Sequence, residues 1–321
     1  MVVSFICVTN LTKYDFNRTI NSIKKQTSTN YEVIIIVDSF DGAQEEVSFN
    51  NVRKLMIEND NIKVIHALKP QGRSSSWNDS IKLAEGQYIK FINDGEELDP
   101  NFVERVEKIV AEKNAPDIIE YSLVMNLKTQ PLPVDVLVKP NKVFDLTTDF
   151  NPLAYTGEIV FNKLFKLDII NEFTFRFNRK QRFDLLFVYK VFSEAKTYIW
   201  VEKGLASSYT IRPVDYSAFD TINQWTHIFN YFRRVGKYRE VEHYIKYAYF
   251  RLLILKWLRT LKWEGNKNLI RKGVEFAKVK FRKEKREKFI KDNIILARKK
   301  DLDFNDWVEN FESNIKQQIL K

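Results

Sequence analysis

The sequence predicts an α/β fold: a mostly parallel sheet flanked by helices, followed by a C-terminal α-helical domain. Over the first hundred residues, apolar β-branched runs alternate with stretches of helical spacing, a pattern typical of parallel strands buried on both faces. From about Ile222 onward the apolar spacing is helical and no proline interrupts it. The 321 residues also suffice for two domains, which we predict at 1–220 and 221–321.

The elements of the first domain follow one another in a regular order. The predicted strands are Val2–Val8, Val33–Val37, Ile62–Ile65 and Tyr88–Ile92. Helices are predicted between them, one carrying Phe16, Ile20 and Ile23 on a single face, and one carrying Trp77, Ile81 and Ala84 and ending at Gly86. Asp99 and Pro100 predict the start of the next helix, because aspartate caps helices and proline fits the first helical position.

Polar residues directly follow three of the predicted strands. Thr9 and Asn10 follow the first strand, Asp38 the second, and the stretch Asn93-Asp94-Gly95-Glu96 the fourth. In open α/β sheets ligands bind beyond these carboxyl ends. A carboxylate there can accept a hydrogen bond from a nucleobase, and two carboxylates two residues apart can share a divalent cation with a diphosphate. Each residue alone could be a turn former or a helix cap, but three successive strand ends favour a ligand site.

The net charge of +10 is unevenly distributed. Residues 221–321 carry 25 Lys and Arg against 12 Asp and Glu, whereas residues 1–220 are slightly acidic. A helical bundle with solvated charges would explain the basic domain. Alternatives are binding to an anionic glycopolymer acceptor, peripheral contact with an anionic membrane, or oligomerisation through the helices. Nucleic acid is not favoured, because no recognised binding motif accompanies the charge.

Several classes of protein are excluded by composition. A single cysteine, Cys7, excludes an internal disulfide framework, and three histidines exclude a zinc cluster built from Cys and His. The N-terminus lacks the basic region of a signal peptide, and Arg251 and Lys256 interrupt the longest later apolar run. We therefore expect a cytoplasmic protein, with attachment at the inner face of the membrane as a further option for the basic domain.

A set of short motifs, in a specific order, extends across residues 1–220. The first block comprises residues 3–10 (VSFICVTN), 21–27 (NSIKKQT), 31–38 (YEVIIIVD), 77–81 (WNDSI), 84–89 (AEGQYI) and 91–100 (FINDGEELDP). The second comprises residues 162–166 (NKLFK), 183–187 (FDLLF), 209–212 (YTIR) and Ser217. Together they resemble the inverting family-2 glycosyltransferases of the GT-A fold.

The resemblance implies a donor site at the strand ends. Thr9 and Asn10 would lie along the nucleotide, and Asp38 would hydrogen-bond the base, usually uracil. The loop and helix from Gly72 to Asn78 would close over the nucleotide. Nucleotide-binding roles for Asn93 and Asp94 are likewise implied, since the stretch 93–96 occupies the place of the family's Asp-x-Asp metal motif.

Catalysis and metal binding are also implied by the resemblance. Asp184 matches the acid that deprotonates the acceptor hydroxyl, and Arg212 falls on the acceptor side. A Mn²⁺ or Mg²⁺ cofactor is implied, but this motif is degenerate because Asn93 and Gly95 stand where the family has acids. Asp94 and Glu96 are the residues of this chain that could replace those ligands.

The function that follows is a transferase acting on activated sugars. We expect transfer from a nucleotide-diphosphate donor, a UDP-sugar, to a bacterial surface glycan or cell-wall glycopolymer, with inversion at the anomeric carbon. The alternative is a catalytically inert GT-A-like module that assists a partner enzyme or scaffolds a glycopolymer complex. The departures from the metal motif are the observation that keeps this alternative open.

Overall fold

The structure, a computed structural model, describes residues 1–9, 13–38, 45–67, 69, 71–126, 131–133, 136–177, 184–210 and 219–321. The chain divides into two compact units. Unit 1 consists of residues 1–148 and 159–212, and unit 2 of residues 149–158 and 213–321. The division after residue 212 differs from the predicted boundary at 220. The segment 149–158 joins the second unit although its sequence shows no separate pattern.

A single mixed sheet forms the centre of unit 1, with the described strands in the order β3-β2-β1-β4-β9-β6-β10-β5. Strands β3, β2, β1 and β4 are parallel, as predicted. Beyond β4 the sheet is mixed, because β9 runs antiparallel to both β4 and β6 while β10 is parallel to β6. The strands are β1 (Val3–Thr9), β2 (Tyr31–Val37), β3 (Ile62–His66), β4 (Tyr88–Ile92), β5 (Glu97–Leu98), β6 (Ile118–Asn126), β7 (Pro131–Pro133), β8 (Val143–Asp145), β9 (Lys163–Lys166) and β10 (Thr197–Thr210).

Helices flank this sheet and connect its strands. They are α1 (Lys13–Lys24), α2 (Glu45–Glu58), α3 (Arg73–Ile81), α4 (Phe102–Glu112), α6 (Leu167–Glu172) and α7 (Asp184–Glu194). Two predicted helix ends differ from the structure. Helix α4 begins at Phe102 rather than Pro100, because Asp99 forms a turn in which its carboxylate accepts from the Asn101 N–H at 3.1 Å. Helix α3 ends at Ile81, well before Gly86.

Gly86 is required for close packing instead of helix termination. A Cβ atom at this position would lie 2.7 Å from the Ser4 backbone nitrogen and 2.8 Å from the Val3 carbonyl carbon. Both β1 and β2 are buried along their whole length, which fits the continuous apolar runs of their sequences. Cys7 lies in β1 as a buried free thiol, as expected for a core residue.

Every regular element in the described part of unit 2 is a helix, as the sequence predicts for residues 221–321. A π-helical segment, Arg251–Trp257, joins the helix Tyr238–Phe250 to the helix Leu258–Glu264. Arg251 is buried with its Nε 2.5 Å from an Asp301 oxygen. No helix in the described part of the chain is both long and apolar enough to cross a bilayer. The α-helices of this unit are α5 (Asn151–Tyr155), α8 (Asp220–Arg234), α9 (Tyr238–Phe250), α10 (Leu258–Glu264), α11 (Lys267–Lys280), α12 (Lys283–Asp292), α13 (Leu302–Glu309) and α14 (Phe311–Asn314).

Candidate active site

The ends of β1, β2 and β4 meet through a network of polar contacts. The Thr9 hydroxyl at the end of β1 donates to Asp94 Oδ2 at 2.7 Å. The backbone N–H of Asp38, after β2, donates to the Thr9 carbonyl oxygen at 3.0 Å. Three residues predicted from separate strand ends therefore lie together at one edge of the sheet. Asn10, predicted beside Thr9, lies outside the described residues.

Asp38 also connects this edge to the start of helix α3. Its Oδ1 accepts from the Gln71 backbone N–H at 2.8 Å, and its Oδ2 accepts from the Ser76 hydroxyl at 3.2 Å. The side chain is half-buried. A carboxylate has about four acceptor positions, so these two bonds leave it able to accept from a further donor.

The segment after β4 is a tight turn held by hydrogen bonds. The Glu96 N–H donates to the Asn93 carbonyl oxygen at 3.0 Å, and Gly95 has a φ of 88°, a conformation that favours glycine. The buried Thr19 hydroxyl accepts from the Gly95 N–H at 2.8 Å and donates to the Asn93 carbonyl oxygen at 3.2 Å. The positive φ at position 95 therefore explains why a glycine, and not an acidic residue, occupies this turn.

Glu96 points into the core of unit 1. Its Oε1 lies 2.7 Å from the Lys90 ammonium, and both side chains are completely buried. Its Oε2 accepts from the Asn93 backbone N–H at 3.0 Å. Burial lowers the pKa of Lys90, while the Glu96 carboxylate opposes that shift. With both oxygens occupied in the core, Glu96 is not placed to act as the metal ligand that the sequence predicts.

The turn after β4 offers fewer carboxylates to a divalent cation than the sequence predicts. Asn93 offers a neutral amide, Gly95 has no side chain, and Glu96 is bonded to Lys90. Asp94 is the carboxylate of this turn that does not pair with Lys90, and it accepts from Thr9. Within the described ranges, no three His, Cys, Asp or Glu side chains cluster closely enough to hold a metal ion. A cation shared with a diphosphate would therefore have Asp94 as its carboxylate from this turn, with phosphate and water oxygens as its other ligands.

Arg73 connects the loop and helix that are predicted to close over the nucleotide with the turn after β4. Gly72 precedes α3 with a φ of 81°, and Arg73 is the first residue of the helix. Arg73 Nη1 donates to Asn93 Oδ1 at 2.9 Å, joining α3 to the turn after β4. The signal in the sequence was a single basic residue within a Gly- and Ser-rich stretch, QGRSSS.

The Asn78 side chain, which the resemblance assigns to the nucleotide, bonds to the protein backbone in this structure. It is buried, its Nδ2 donates to the Phe177 carbonyl oxygen at 2.9 Å, and its Oδ1 accepts from the Phe177 N–H at 2.7 Å. These two bonds satisfy the backbone N–H and carbonyl groups of a residue 99 positions away. They give Asn78 a role in holding α3 that the sequence analysis did not foresee.

An aromatic cluster positions the helix that begins with Asp184. Phe187 stacks on Phe177 with ring centroids 4.1 Å apart and meets Phe91 of β4 edge-on at 5.8 Å. Trp77 of α3 lies 4.7 Å from Phe177 and 5.3 Å from Phe91. The cluster therefore fixes α3, β4 and the first turn of α7 against one another.

The predicted catalytic residue begins helix α7, three residues before Phe187. Asp184 is half-buried, and its Oδ1 accepts from the Leu185 N–H at 3.2 Å. A half-buried carboxylate at the start of a helix can accept a proton from a bound hydroxyl. Arg212, predicted on the acceptor side, lies outside the described residues.

Structural comparison finds a similar fold in proteins of known structure. S. aureus TarS, residues 1–349 in complex with UDP-GlcNAc, matches with a TM-score of 0.70 at 15% identity, over 98% of this chain and 92% of that chain. Its complex with UDP matches with a TM-score of 0.68. The mannosyltransferase PcManGT from Pyrobaculum calidifontis, in complex with GDP-Man and Mn²⁺, matches with a TM-score of 0.50 at 12% identity, over 89% of this chain and 82% of that chain.

Sequence comparison gives the family. The glycosyltransferase GlyG of Streptococcus pneumoniae serotype 4 (strain ATCC BAA-334 / TIGR4) is 26% identical over 100 residues, which are 31% of this chain and about a third of that protein. The sequence model of glycosyl transferase family 2 matches residues 6–173, more than half of the chain. The chain therefore belongs to glycosyl transferase family 2 and is a glycosyltransferase with the GT-A-like fold.

Proposed function

We propose that this glycosyltransferase transfers a sugar from a UDP-sugar donor to a bacterial surface glycan or cell-wall glycopolymer, with inversion at the anomeric carbon. The observation that carries the proposal is the meeting of Thr9, Asp38 and Asp94 at one sheet edge. That edge is where open α/β sheets bind nucleotides. The UDP and UDP-GlcNAc complexes of TarS, which has the same fold, support uridine as the base.

Asp38 is the residue we assign to the base. Its two bonds to the start of α3 hold the carboxylate at the end of β2, and its remaining acceptor capacity suits the N–H of a uracil ring. Thr9 and Asp94 would lie along the rest of the nucleotide. Gly72 lies at the start of the loop and helix that would cover the nucleotide.

Asp184 is the residue we assign to the chemical step. The acceptor hydroxyl oxygen forms a bond to the anomeric carbon while the bond from that carbon to the diphosphate oxygen breaks. The hydroxyl proton passes to the Asp184 carboxylate, and the nucleoside diphosphate leaves with the bonding electrons. Because attack and departure occur on opposite faces, the configuration inverts. A positioned base contributes on the order of 10²- to 10⁴-fold.

The acceptor class is inferred from the charge of the second unit. The excess of basic over acidic residues within 221–321 would attract an anionic polymer, and the attraction would weaken as salt screens it. The same charge supports peripheral contact with an anionic membrane at its cytoplasmic face. Binding of the chain to a phosphate-bearing polymer, to anionic vesicles and to DNA at 50 and 300 mM salt distinguishes these partners.

Calorimetric titration with UDP, CDP and GDP tests the donor, followed by assay of sugar transfer from UDP-sugars to a phosphate-bearing glycopolymer. We expect UDP to bind at least tenfold more tightly than CDP or GDP, and the product to have the inverted configuration. Tighter binding of another nucleotide would overturn the choice of uridine. Nucleotide binding without transfer to any acceptor would instead support the non-catalytic module as an assistant to a partner enzyme.

A further inference from the structure

We propose that the buried Ser76 hydroxyl positions the Asp38 carboxylate and thereby sets the preference of the donor site for uracil over cytosine. This inference rests on the proposed function, in which Asp38 accepts from the base. Ser76 itself contacts no substrate atom in this assignment, so it is a positioning residue. It acts on a side chain of another element, since Ser76 lies in α3 and Asp38 follows β2.

The contact between these two side chains is defined by hydrogen bonds at both carboxylate oxygens. Ser76 is completely buried, and its hydroxyl donates to Asp38 Oδ2 at 3.2 Å. The other oxygen, Oδ1, accepts from the Gln71 backbone N–H at 2.8 Å. A carboxylate that is bonded at both oxygens cannot turn about its last side-chain bond without losing one of the two hydrogen bonds. The orientation of the Asp38 carboxylate therefore depends on Ser76.

A second serine of the same helix bonds in a different way. Serine hydroxyls within helices commonly donate to the carbonyl oxygen one turn earlier. Ser80 does so, because it is completely buried and its Oγ donates to the Ser76 carbonyl oxygen at 2.9 Å. The Ser76 hydroxyl instead donates to a strand-end residue 38 positions earlier in the chain. The two serines thus separate a bond within the helix from a bond to the proposed base-binding residue.

The Gln71 side chain orients the Ser76 hydroxyl. Its Nε2 donates to Ser76 Oγ in a long hydrogen bond of 3.4 Å. A hydroxyl has one hydrogen besides its acceptor positions, so a donor on the oxygen leaves that hydrogen for another acceptor. Here the acceptor is Asp38 Oδ2. Gln71 therefore contributes to the position of Asp38 twice, directly through its backbone and indirectly through Ser76.

A carboxylate of fixed orientation distinguishes the two pyrimidine bases. Uracil has an N–H at N3 that donates to a carboxylate, whereas cytosine has a bare nitrogen at N3, whose lone pair would face the carboxylate. A site built to accept a hydrogen bond rejects an analogue that lacks the donor. Cytosine also has an amino donor on the neighbouring carbon, N4–H₂. A carboxylate that is free to turn can follow this amino group, so loss of the Ser76 bond should reduce the preference for uracil.

The test is calorimetric titration of the whole chain with UDP and with CDP, in the parent and in Ser76→Ala. We expect Ser76→Ala to bind UDP about 3- to 10-fold more weakly, because one hydrogen bond to the carboxylate is lost. The ratio of UDP affinity to CDP affinity should fall by about threefold or more. In the Asp38→Ala background, the same serine substitution should change UDP affinity by less than about twofold, because its effect passes through Asp38.

The matched control is Ser80→Ala, which removes an equally buried hydroxyl from the same helix. It should leave the affinities for UDP and CDP within about twofold of the parent, and thermal unfolding should show every variant folded. An unchanged affinity ratio in Ser76→Ala, or an equal loss of UDP affinity in the Asp38→Ala background, would overturn this inference and leave the proposed function intact. Failure of the parent to bind UDP, CDP or GDP would overturn the proposed function and this inference with it.

Discussion

Lys90 and Glu96 form a 2.7 Å ion pair although both side chains are completely buried in unit 1. The Lys90 ammonium also donates to the carbonyl oxygens of Phe91 and Phe161, each at 2.9 Å. Glu96 in turn accepts the Asn93 N–H. The pair therefore joins β4 to the turn that carries Asn93 and Asp94. Because this turn belongs to the proposed donor site, the ion pair helps to hold that site in its conformation.

The first prediction concerns the stability of this pair. Glu96→Ala leaves the Lys90 ammonium buried without its counter-charge, which costs about 3–5 kcal/mol. The double variant Lys90→Met with Glu96→Gln removes both charges and keeps an acceptor for the Asn93 N–H. It should recover more than half of that loss. Urea unfolding of the parent, of the single variants Lys90→Met and Glu96→Gln, and of the double variant gives the coupling free energy. Additive losses in the two single variants would contradict the pairing.

The second prediction concerns Asp38. Asp38→Ala removes the carboxylate at the end of β2 and should weaken UDP binding by at least tenfold, because a charge-assisted hydrogen bond to the base is lost. Asp79→Ala is the matched control, since Asp79 lies on α3 and also accepts from Gln71, with its Oδ2 3.3 Å from the Gln71 Nε2. Calorimetric titration compares the two. Equal UDP affinity in both variants would assign the base to another residue.

The third prediction concerns Asp184. Asp184→Asn keeps the shape of the side chain and removes the proton acceptor, so the transfer rate should fall by 10²-fold or more with donor affinity unchanged. The control is Asp168→Asn, which alters an exposed carboxylate in the first turn of α6. Transfer by Asp184→Asn at the parental rate would place the base elsewhere.

The fourth prediction separates two roles of Asn78. Because both polar atoms of this side chain bond to the Phe177 backbone, Asn78→Ala leaves two buried groups unsatisfied and should cost about 2–4 kcal/mol of unfolding free energy. If the role is structural, the folded variant should bind UDP with parental affinity below its melting temperature. A loss of UDP affinity above tenfold in fully folded protein would restore the nucleotide-binding role that the sequence predicts.

The fifth prediction concerns acid stability. Burial favours a higher pKa for Glu32, but hydrogen bonds from the Ser4 hydroxyl, Lys63 and the Glu85 N–H outweigh burial and hold the pKa below the usual 4.5. A depressed carboxyl pKa stabilises the fold above pH 4.5, and this stabilisation is lost as the pH falls through the folded-state pKa. Glu32→Gln should therefore be less stable than the parent by about 1–3 kcal/mol at pH 7, and the difference should shrink below pH 4.5.

Urea unfolding at pH 7, 5, 4 and 3 measures this dependence. Glu85→Gln is the control, because Glu85 contacts the same Lys63 at 2.8 Å but is 65% exposed. An exposed pair contributes little, so this variant should stay within about 0.5 kcal/mol of the parent at every pH. A constant difference between Glu32→Gln and the parent from pH 7 to pH 3 would contradict the assignment.

The sequence by itself determined the parallel strands and the positions of the strand ends. The run Val33–Val37 is long enough, apolar enough and β-branched enough to specify a buried strand without knowledge of its neighbours. Once parallel strands are predicted, Thr9, Asp38 and Asp94 must fall at the same edge, and the structure brings them there. Periodicity is a local property, and for that reason it can be read directly from the chain.

Only the tertiary structure decided which polar groups bond to one another. Glu96 resembles a metal ligand in sequence because it lies two residues from Asp94, yet it turns inward to Lys90, which also donates to the Phe161 carbonyl oxygen 71 residues away. Arg73 meets Asn93 across twenty residues, and the segment 149–158 joins the helical unit. A buried charge takes the partner that packing places beside it, because an unpaired one costs several kcal/mol. Packing between distant elements leaves no local pattern in the sequence.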